Sequence, residues 1–455
     1  MSRLVEGWLD SRPLGGRQVL IIVVIALALV IDGLDVQLLS LVAPLILEDW
    51  GIARQDFGAA MSAALLGSSF GSVVGGGLGD RFGRKSVFVA ATLAFGVATV
   101  LAGLTQSVFA MTLVRLIGGF GFGAALPTSV ALVSEWLPKL ARSRVVGMTA
   151  TGTPLGGMLG AAVLISLLPL LGWRGCFIAC GLLSIFFGLL AWVWLPESPS
   201  YLVARGRADQ AAGLLRRYLG VDCTAQSLGS ADAAARAIDA EAAAGDDVRV
   251  FERSNLRLNV GAWLAFFGVY YVAYGLAAWL PVLLTGAGLG MPAALRASFT
   301  FNLCAVVSGI LHGLLVTRFG SRRLMLTGVT LTLVSLGLLA LGVVTLRAVH
   351  DVGRAELLVL VGSAGVGAFN GALIGVIYAV LALGFPPSCR AGAIGLAMML
   401  GRMGGILGSF IGGALLSVPG IPDTPYIGAL AVAVVCALIG TLIIDRHVPR
   451  STPGS

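Results

Sequence analysis

Two carboxylates, Asp32 and Asp35, stand inside an apolar run from Val19 to Leu47. The run exceeds the roughly 20 residues needed to cross a bilayer. An ionised carboxylate at its centre costs about 2.5–3.5 kcal/mol on insertion scales. Three positions apart on a helix, the two side chains share one face. That face must meet protein or water, never lipid. The chemistry on offer is proton uptake and release, or the pairing of a cation, along a path through the membrane. The plainer alternative is a structural pair satisfied by neighbouring helices.

Two arginines complete the set, Arg115 within Met111–Pro127 and Arg402 within a later apolar stretch. A guanidinium stays charged and grips a carboxylate through two parallel hydrogen bonds. Mutual neutralisation of two acids and two bases is one outcome. The other is that one arginine pairs with an aspartate and the second is left for an anionic substrate. Tyr270 and Tyr274, one helical turn apart, can stack an aromatic ring, with Phe301 and Asn302 in the next stretch. Trp279 reads as packing at the lipid interface. His312 can titrate, but a lone histidine near a helix end reads better as a satisfied polar residue. The six cysteines are scattered without a CxxC and read as inert buried thiols. No Walker loop or metal cluster appears, and the GFGFG run at 119–123 lies in an apolar stretch with no strand before it. No cofactor and no metal are expected, and ATP-driven transport by this chain alone is excluded.

These residues need elements that hold them at membrane depth. Of the 455 residues, 57% are hydrophobic and 11% charged, against about 25% charged in soluble domains. Twelve apolar segments are long enough to span: near 19–47, 58–79, 86–105, 109–132, 145–171, 174–195, 258–283, 297–316, 324–346, 357–381, 391–417 and 427–444. Backbone groups in lipid must be satisfied within the segment, so all are helices. The 64 glycines suit close helix–helix approach. The net charge of +8 is no nucleic-acid signal, because most of the 30 Lys and Arg fall on alternate loops and tails that share one side. Arg54, Arg174, Arg296, Arg347 and Arg354 fall on the other. The positive-inside rule then makes both termini cytoplasmic, which requires an even number of spans.

The polar stretch 196–256 divides six segments from six and reads as a solvated, partly helical cytoplasmic linker. The halves, 1–195 and 257–455, echo each other. Gly76-x3-Asp80-Arg81-Phe82-Gly83-Arg84-Lys85 follows the second segment, and Gly313-x3-Thr317-Arg318-Phe319-Gly320-Ser321-Arg322 follows the eighth. Pro154-Leu-Gly-Gly-Met-Leu-Gly160 in the fifth is matched by Arg402-Met-Gly-Gly-Ile-Leu-Gly408 in the eleventh. The counterpart of Arg402 is thus Pro154, so the duplicated scaffold does not demand an arginine there. Duplicated bundles with a site between them mark transporters.

GGGLGDRFGRKS resembles the loop motif of the major facilitator superfamily. Within it the chain is similar to the aromatic acid:proton symporters. Asp32-Gly-Leu-Asp35, Gly121-Phe-Gly-Ala-Ala-Leu-Pro127 with Ser134-Glu135, Trp279-Leu-Pro281, Arg390-Ala-Gly392 and Gly401-Arg-Met-Gly404 carry that likeness. Thr128 and Thr317 depart from it, where the family often has Asn and an acid. The resemblance implies an all-α integral membrane fold of twelve transmembrane helices in two pseudo-symmetric six-helix bundles. It implies a transporter, not an enzyme: a monomer of the inner membrane that takes up a small aromatic carboxylate with protons by alternating access. Asp32 and Asp35 are then expected to carry the proton. Arg115, Arg402, Tyr270, Tyr274 and Asn302 are expected to hold substrate. Gly76, Asp80, Arg81, Gly83, Arg84, Lys85, Arg318, Gly320 and Arg322 are expected to gate, by charge pairs that latch the halves. A carrier of another organic acid, a drug–proton antiporter (Gly152–Gly157 resembles an antiporter motif) and a non-transporting receptor stay open.

Overall fold

The computed structural model describes residues 15–220, 224, 226–228, 250–348, 352–385, 387–420 and 423–449, with the side chains of 139–151, 153, 387, 388 and 391 left aside. Arg3, Arg12, Cys223, Arg450 and the Ala-rich part of the linker lie outside those residues, as do the side chains of Lys139, Arg142 and Arg144. The first half is built from α1 (Gly16–Trp50), α2 (Gly58–Phe82), α3 (Arg84–Leu104), α4 (Val108–Trp136) and the long helix Lys139–Trp194. That helix kinks at Gly172, where φ is 63°, a value glycine adopts freely. Its two arms are α5 and α6. Short α7 (Pro199–Ala204) and α8 (Ala208–Leu219) follow. The second half holds α9 (Leu256–Gly286), α10 (Met291–Phe319), α11 (Ser321–Ala348), α12 (Val352–Gly384), α13 (Pro387–Leu415) and α14 (Thr424–Ile443). Among the described residues, eleven helices are long and apolar enough to cross a membrane. The kink at Gly172 divides one of them in two, giving the twelve spans read from the sequence.

The repeated RFG triplets have a geometric reason. Gly83 and Gly320 sit at φ 102° and 79°, each ending one helix one residue before the next begins. A side chain there would be strained. The glycines inside the spans serve packing. Gly67 and Gly71 of α2 lie against the backbone of Leu116 and Phe120, while Gly119 and Gly123 of α4 lie against Ala64 and Ser68. The GFGFG run is one side of that seam. The fifth-segment repeat behaves alike in both halves: Gly156 abuts the backbone of Gly33 and Leu34 on α1, and Gly404 that of Phe267 on α9.

In the first bundle α2 packs on α4, α1 on the Lys139–Trp194 helix, and α3 on α4. In the second α9 packs on α13 and α14, and α12 on α10 and α11. The bundles meet where α1 faces α9, α2 faces α13, and α10 faces the Lys139–Trp194 helix. Trp279 departs from expectation. It is fully buried, its Nε1 donating to Ser409 O at 2.8 Å, because Gly412 and Gly413 of α13 leave room for the indole. The linker also departs at its start, since α8 buries Ala211 and Leu215 on a cluster containing Leu195 and Trp136.

Candidate functional site

Asp32 and Asp35 are both completely buried in α1, but their surroundings differ. Arg115 of α4 donates from Nη1 to Asp35 Oδ2 at 2.9 Å and from Nη2 to Asp35 O at 2.8 Å. Its guanidinium also lies over the Phe177 ring, 5.6 Å from the centroid. This pair is internal to the first half and closed to solvent, with Arg115 4% exposed. Neither carboxylate oxygen of Asp32 has a hydrogen-bond partner among the described residues. One aspartate is thus spent on an arginine and the other is not.

Arg402 lies apart from that pair. It is half-buried on α13 and donates from Nη1 to Ser72 Oγ of α2 at 2.5 Å, across the junction of the two halves. Among the described residues it forms no ion pair. Three phenols lie within its electrostatic reach: Tyr270 and Tyr274 of α9 and Tyr378 of α12. Tyr270 and Tyr274 lie with centroids 5.6 Å apart, and Phe266 meets Tyr378 edge to face at 5.0 Å. The hydroxyls of Tyr270 and Tyr378 are 3.5 Å apart. Gly401 and Gly405 make this possible, for a side chain at either would press on Tyr270 or Tyr274. The arrangement is a guanidinium beside a wall of rings, able to receive an anion that carries a flat apolar body.

Asn302 of α10 is committed elsewhere. Its amide and that of Gln37 on α1 exchange two hydrogen bonds of 3.0 Å each, a buried tie between the halves. Gln37, Tyr378 and Ser72 were not singled out in the sequence. The available signal was a polar side chain at membrane depth, strongest for Gln37, two residues from Asp35. His312 turns its Nδ1 onto Gly309 O at 2.5 Å within its own helix.

The loop residues form their pairs within one half. Arg84 binds Glu135 at the end of α4 and lies 3.5 Å from Asp80. Asp80 is 73% exposed and Glu135 only 5%, so Glu135 is the anchor. Glu135 also accepts from Ser198 Oγ, and Glu197 accepts from the Lys85 amide at 2.9 Å. Arg205 donates to Arg81 O. The second loop docks the segment after α14 in the same way. Ser321 N donates to Val448 O at 3.0 Å, Val448 N to Ser321 Oγ at 2.8 Å, and Ser321 Oγ lies 3.3 Å from His447 Nδ1. Thr317 donates its hydroxyl to Leu314 O within its own helix at 2.9 Å, and Arg318 lies over Phe319.

The halves meet closely on one face. On the side of residues 51–57, Gly58 abuts the Phe410 backbone, Gly413 abuts Arg54 O, and Arg54 Nη1 donates to Leu416 O at 3.3 Å. Leu65 meets Gly405 midway, and Ser72 meets Arg402. Farther along the same helices, toward the loop motifs, Gly76, Gly77 and Gly395 have no heavy atom within 4 Å of where a Cβ would stand.

The family model described as Major Facilitator Superfamily matches residues 25–345 and 297–455. A gallate transporter of Pseudomonas putida is 31% identical over 417 residues, covering 91% of this chain and 89% of that one. The 4-hydroxybenzoate transporter PcaK of Pseudomonas aeruginosa is 31% identical, covering 90% and 89%. In fold, the inward open conformation of the xylose transporter XylE from E. coli matches with a TM-score of 0.70 at 19% identity, covering 96% of this chain and 98% of that one.

Proposed function

The chain belongs to the major facilitator superfamily, as a multi-pass membrane transporter and not an enzyme, and from that premise we propose that it takes up a small aromatic carboxylate together with protons. The membrane is the inner membrane, and the loop motifs and both termini face the cytoplasm, in line with the side on which Lys and Arg concentrate. The observation that carries the reading is Arg402, an arginine without a carboxylate partner among the described residues, standing beside Tyr270, Tyr274 and Tyr378. The substrate carboxylate takes the guanidinium, and the ring packs on the phenol faces. Each well-placed aromatic pair adds about 0.5–1.5 kcal/mol beyond area burial, a several-fold preference over a saturated ring. The transporters named for gallate and 4-hydroxybenzoate support the same substrate class.

Proton coupling falls to the first half. Asp35 is held by Arg115, which leaves Asp32 as the group that loads a proton from one side and releases it to the other. Alternating access would come from rocking the halves about the Ser72–Arg402 and Gln37–Asn302 contacts. Because Arg402 is one of those contacts, an arriving carboxylate competes with Ser72 for its guanidinium, and this links binding to the junction.

Competition for uptake into proteoliposomes tests the reading. Benzoate-type acids should compete, whereas the matching neutral amides and simple sugars should not. Accumulation should require an inward proton gradient. Equal competition by amides removes the role given to Arg402, and preference for aliphatic acids removes the aromatic assignment.

A further inference from the structure

The last turn of α6 ends in a row of exposed apolar side chains, Trp192, Val193 and Trp194 at 62%, 72% and 46%. Tryptophans at the end of a membrane span sit at headgroup depth. Immediately beyond them the chain turns through Leu195 and Pro196 and lays α7 and α8 near the start of α3. α8 turns Ala211 and Leu215 inward, which leaves Arg207 and Arg217 exposed on its outer side. Between α8, the end of α6 and the start of α3 lies a cavity of about 690 Å³. Its lining mixes apolar side chains, Val193, Leu202 and Leu214 among them, with Lys85, Arg207 and Arg217. Glu197 also borders it; its Oε1 accepts from the backbone amides of Lys85 and Ser198, both at 2.9 Å, and its charge lies close to Lys85, which leaves Arg207 and Arg217 as the cations it does not offset. None of the three cations forms an ion pair among the described residues.

Basic and apolar side chains lining one groove at headgroup depth, with the arginines in excess over the one carboxylate, complement an amphiphile with an anionic head. We infer that this groove binds the phosphate headgroup of an anionic phospholipid, with an acyl chain running along Val193 and Trp192. The volume lies in the range of small-molecule sites, enough for a phosphoglycerol head. The apolar part of the lining favours lipid over free phosphate. Basic pockets at the cytoplasmic ends of membrane helices act on anionic headgroups in this way. Lipid so bound would tie α8 and the Asp80–Lys85 loop to one leaflet.

The test uses the purified full-length protein titrated with phosphatidylglycerol or phosphatidylcholine, counting bound lipid by native mass spectrometry. The wild type should retain phosphatidylglycerol where it releases phosphatidylcholine. The double variant R207Q/R217Q should bind phosphatidylglycerol about 30-fold more weakly with its thermal transition unmoved. The variant R207K/R217K should keep most of the binding. A second measurement needs no cation variant. Brominated phosphatidylglycerol should quench tryptophan emission more than brominated phosphatidylcholine, and W192F/W194F should lose the excess. Equal retention of the two lipids, or undiminished binding by R207Q/R217Q, overturns the site. Displacement of phosphatidylglycerol by inorganic phosphate overturns the lipid assignment in favour of a free anion.

Discussion

The two aspartates of α1 are equivalent in sequence and unequal in place. Arg115 holds Asp35 with a 2.9 Å ion pair, and among the described residues Asp32 has no hydrogen-bond partner. Removing one member of a buried pair leaves the other charge stranded, at a cost of about 3–5 kcal/mol. Asp35→Asn is therefore expected to lower the thermal stability of the protein in detergent, while Asp32→Asn leaves it near wild type. Asp32→Asn should instead abolish accumulation driven by a proton gradient and keep substrate exchange. If Asp32→Asn concentrates substrate at the wild-type rate, the proton role belongs elsewhere. Arg402→Lys keeps the charge but loses the fork that grips a carboxylate, so substrate affinity should fall about tenfold or more in a binding titration. The sequence displayed all four charges but could not pair them. Asp35 and Arg115 are separated by 79 residues of chain, and only the packing of α1 with α4 reveals which aspartate is spent. Tyr378 was illegible for the same reason: a lone tyrosine in an apolar span has no signal until α12 is seen against α9.

At the scale of elements, the two loop motifs show why duplication was readable while the gating contacts were not. Gly83 and Gly320 repeat because a positive φ is needed at the same turn in each half. The partners of the two loops differ in chemistry: carboxylates from Glu135 and Glu197 in the first half, and a tail segment with His447 in the second. Glu135 ends the fourth helix, whereas Glu197 and His447 follow the sixth helix of their halves, and nothing in local spacing pairs any of them with the loops. The second dock carries a pH dependence. Partial burial, and after it the nearby Arg322 guanidinium, hold His447 below the ordinary histidine range. The folded protein then binds fewer protons than the unfolded chain, so the stability of the dock is complete above a pH of about 6.5 and is lost as pH falls below it. Limited proteolysis of the tail should accelerate from pH 7 to pH 5 in the wild type, and His447→Gln should flatten that profile. A pH-independent rate in the wild type would remove the histidine from the account. In the first half, Glu135→Gln should loosen the Arg84 anchor and slow turnover with little change in substrate affinity, as expected of a residue that holds a loop and touches no substrate.

At the scale of the whole molecule, the population of the closed face is set by the free-energy difference between two packings of the halves. Arg54 is the main polar clasp there. Its guanidinium reaches Leu416 O at 3.3 Å and crowds Gly286, while its own carbonyl meets Gly413. Gly286 and Gly413 leave the space that admits it. On the opposite face, Gly395 of α13 is open. If the halves rock as rigid bodies, loosening the clasp on this face must bring them together on the other, where Gly395 stands. Arg54→Ala removes a hydrogen bond from a charged group, worth about 1.5–3 kcal/mol at most for so partly exposed a residue. At 1.4 kcal/mol per factor of ten, the shift toward the conformation open on the Arg54 side should reach about tenfold. A cysteine placed at Gly395, in a background with the native cysteines replaced, should then react correspondingly more slowly with a maleimide supplied to the loop-motif face. A cysteine replacing Ser417, next to the Arg54 contact at Leu416, should in the same variant react faster from the other. Slower labelling at one face without faster labelling at the other would mean that the variant distorts α13 locally and that the faces are not coupled. Reciprocal changes are what alternating access requires, because a single rigid-body motion exchanges one opening for the other.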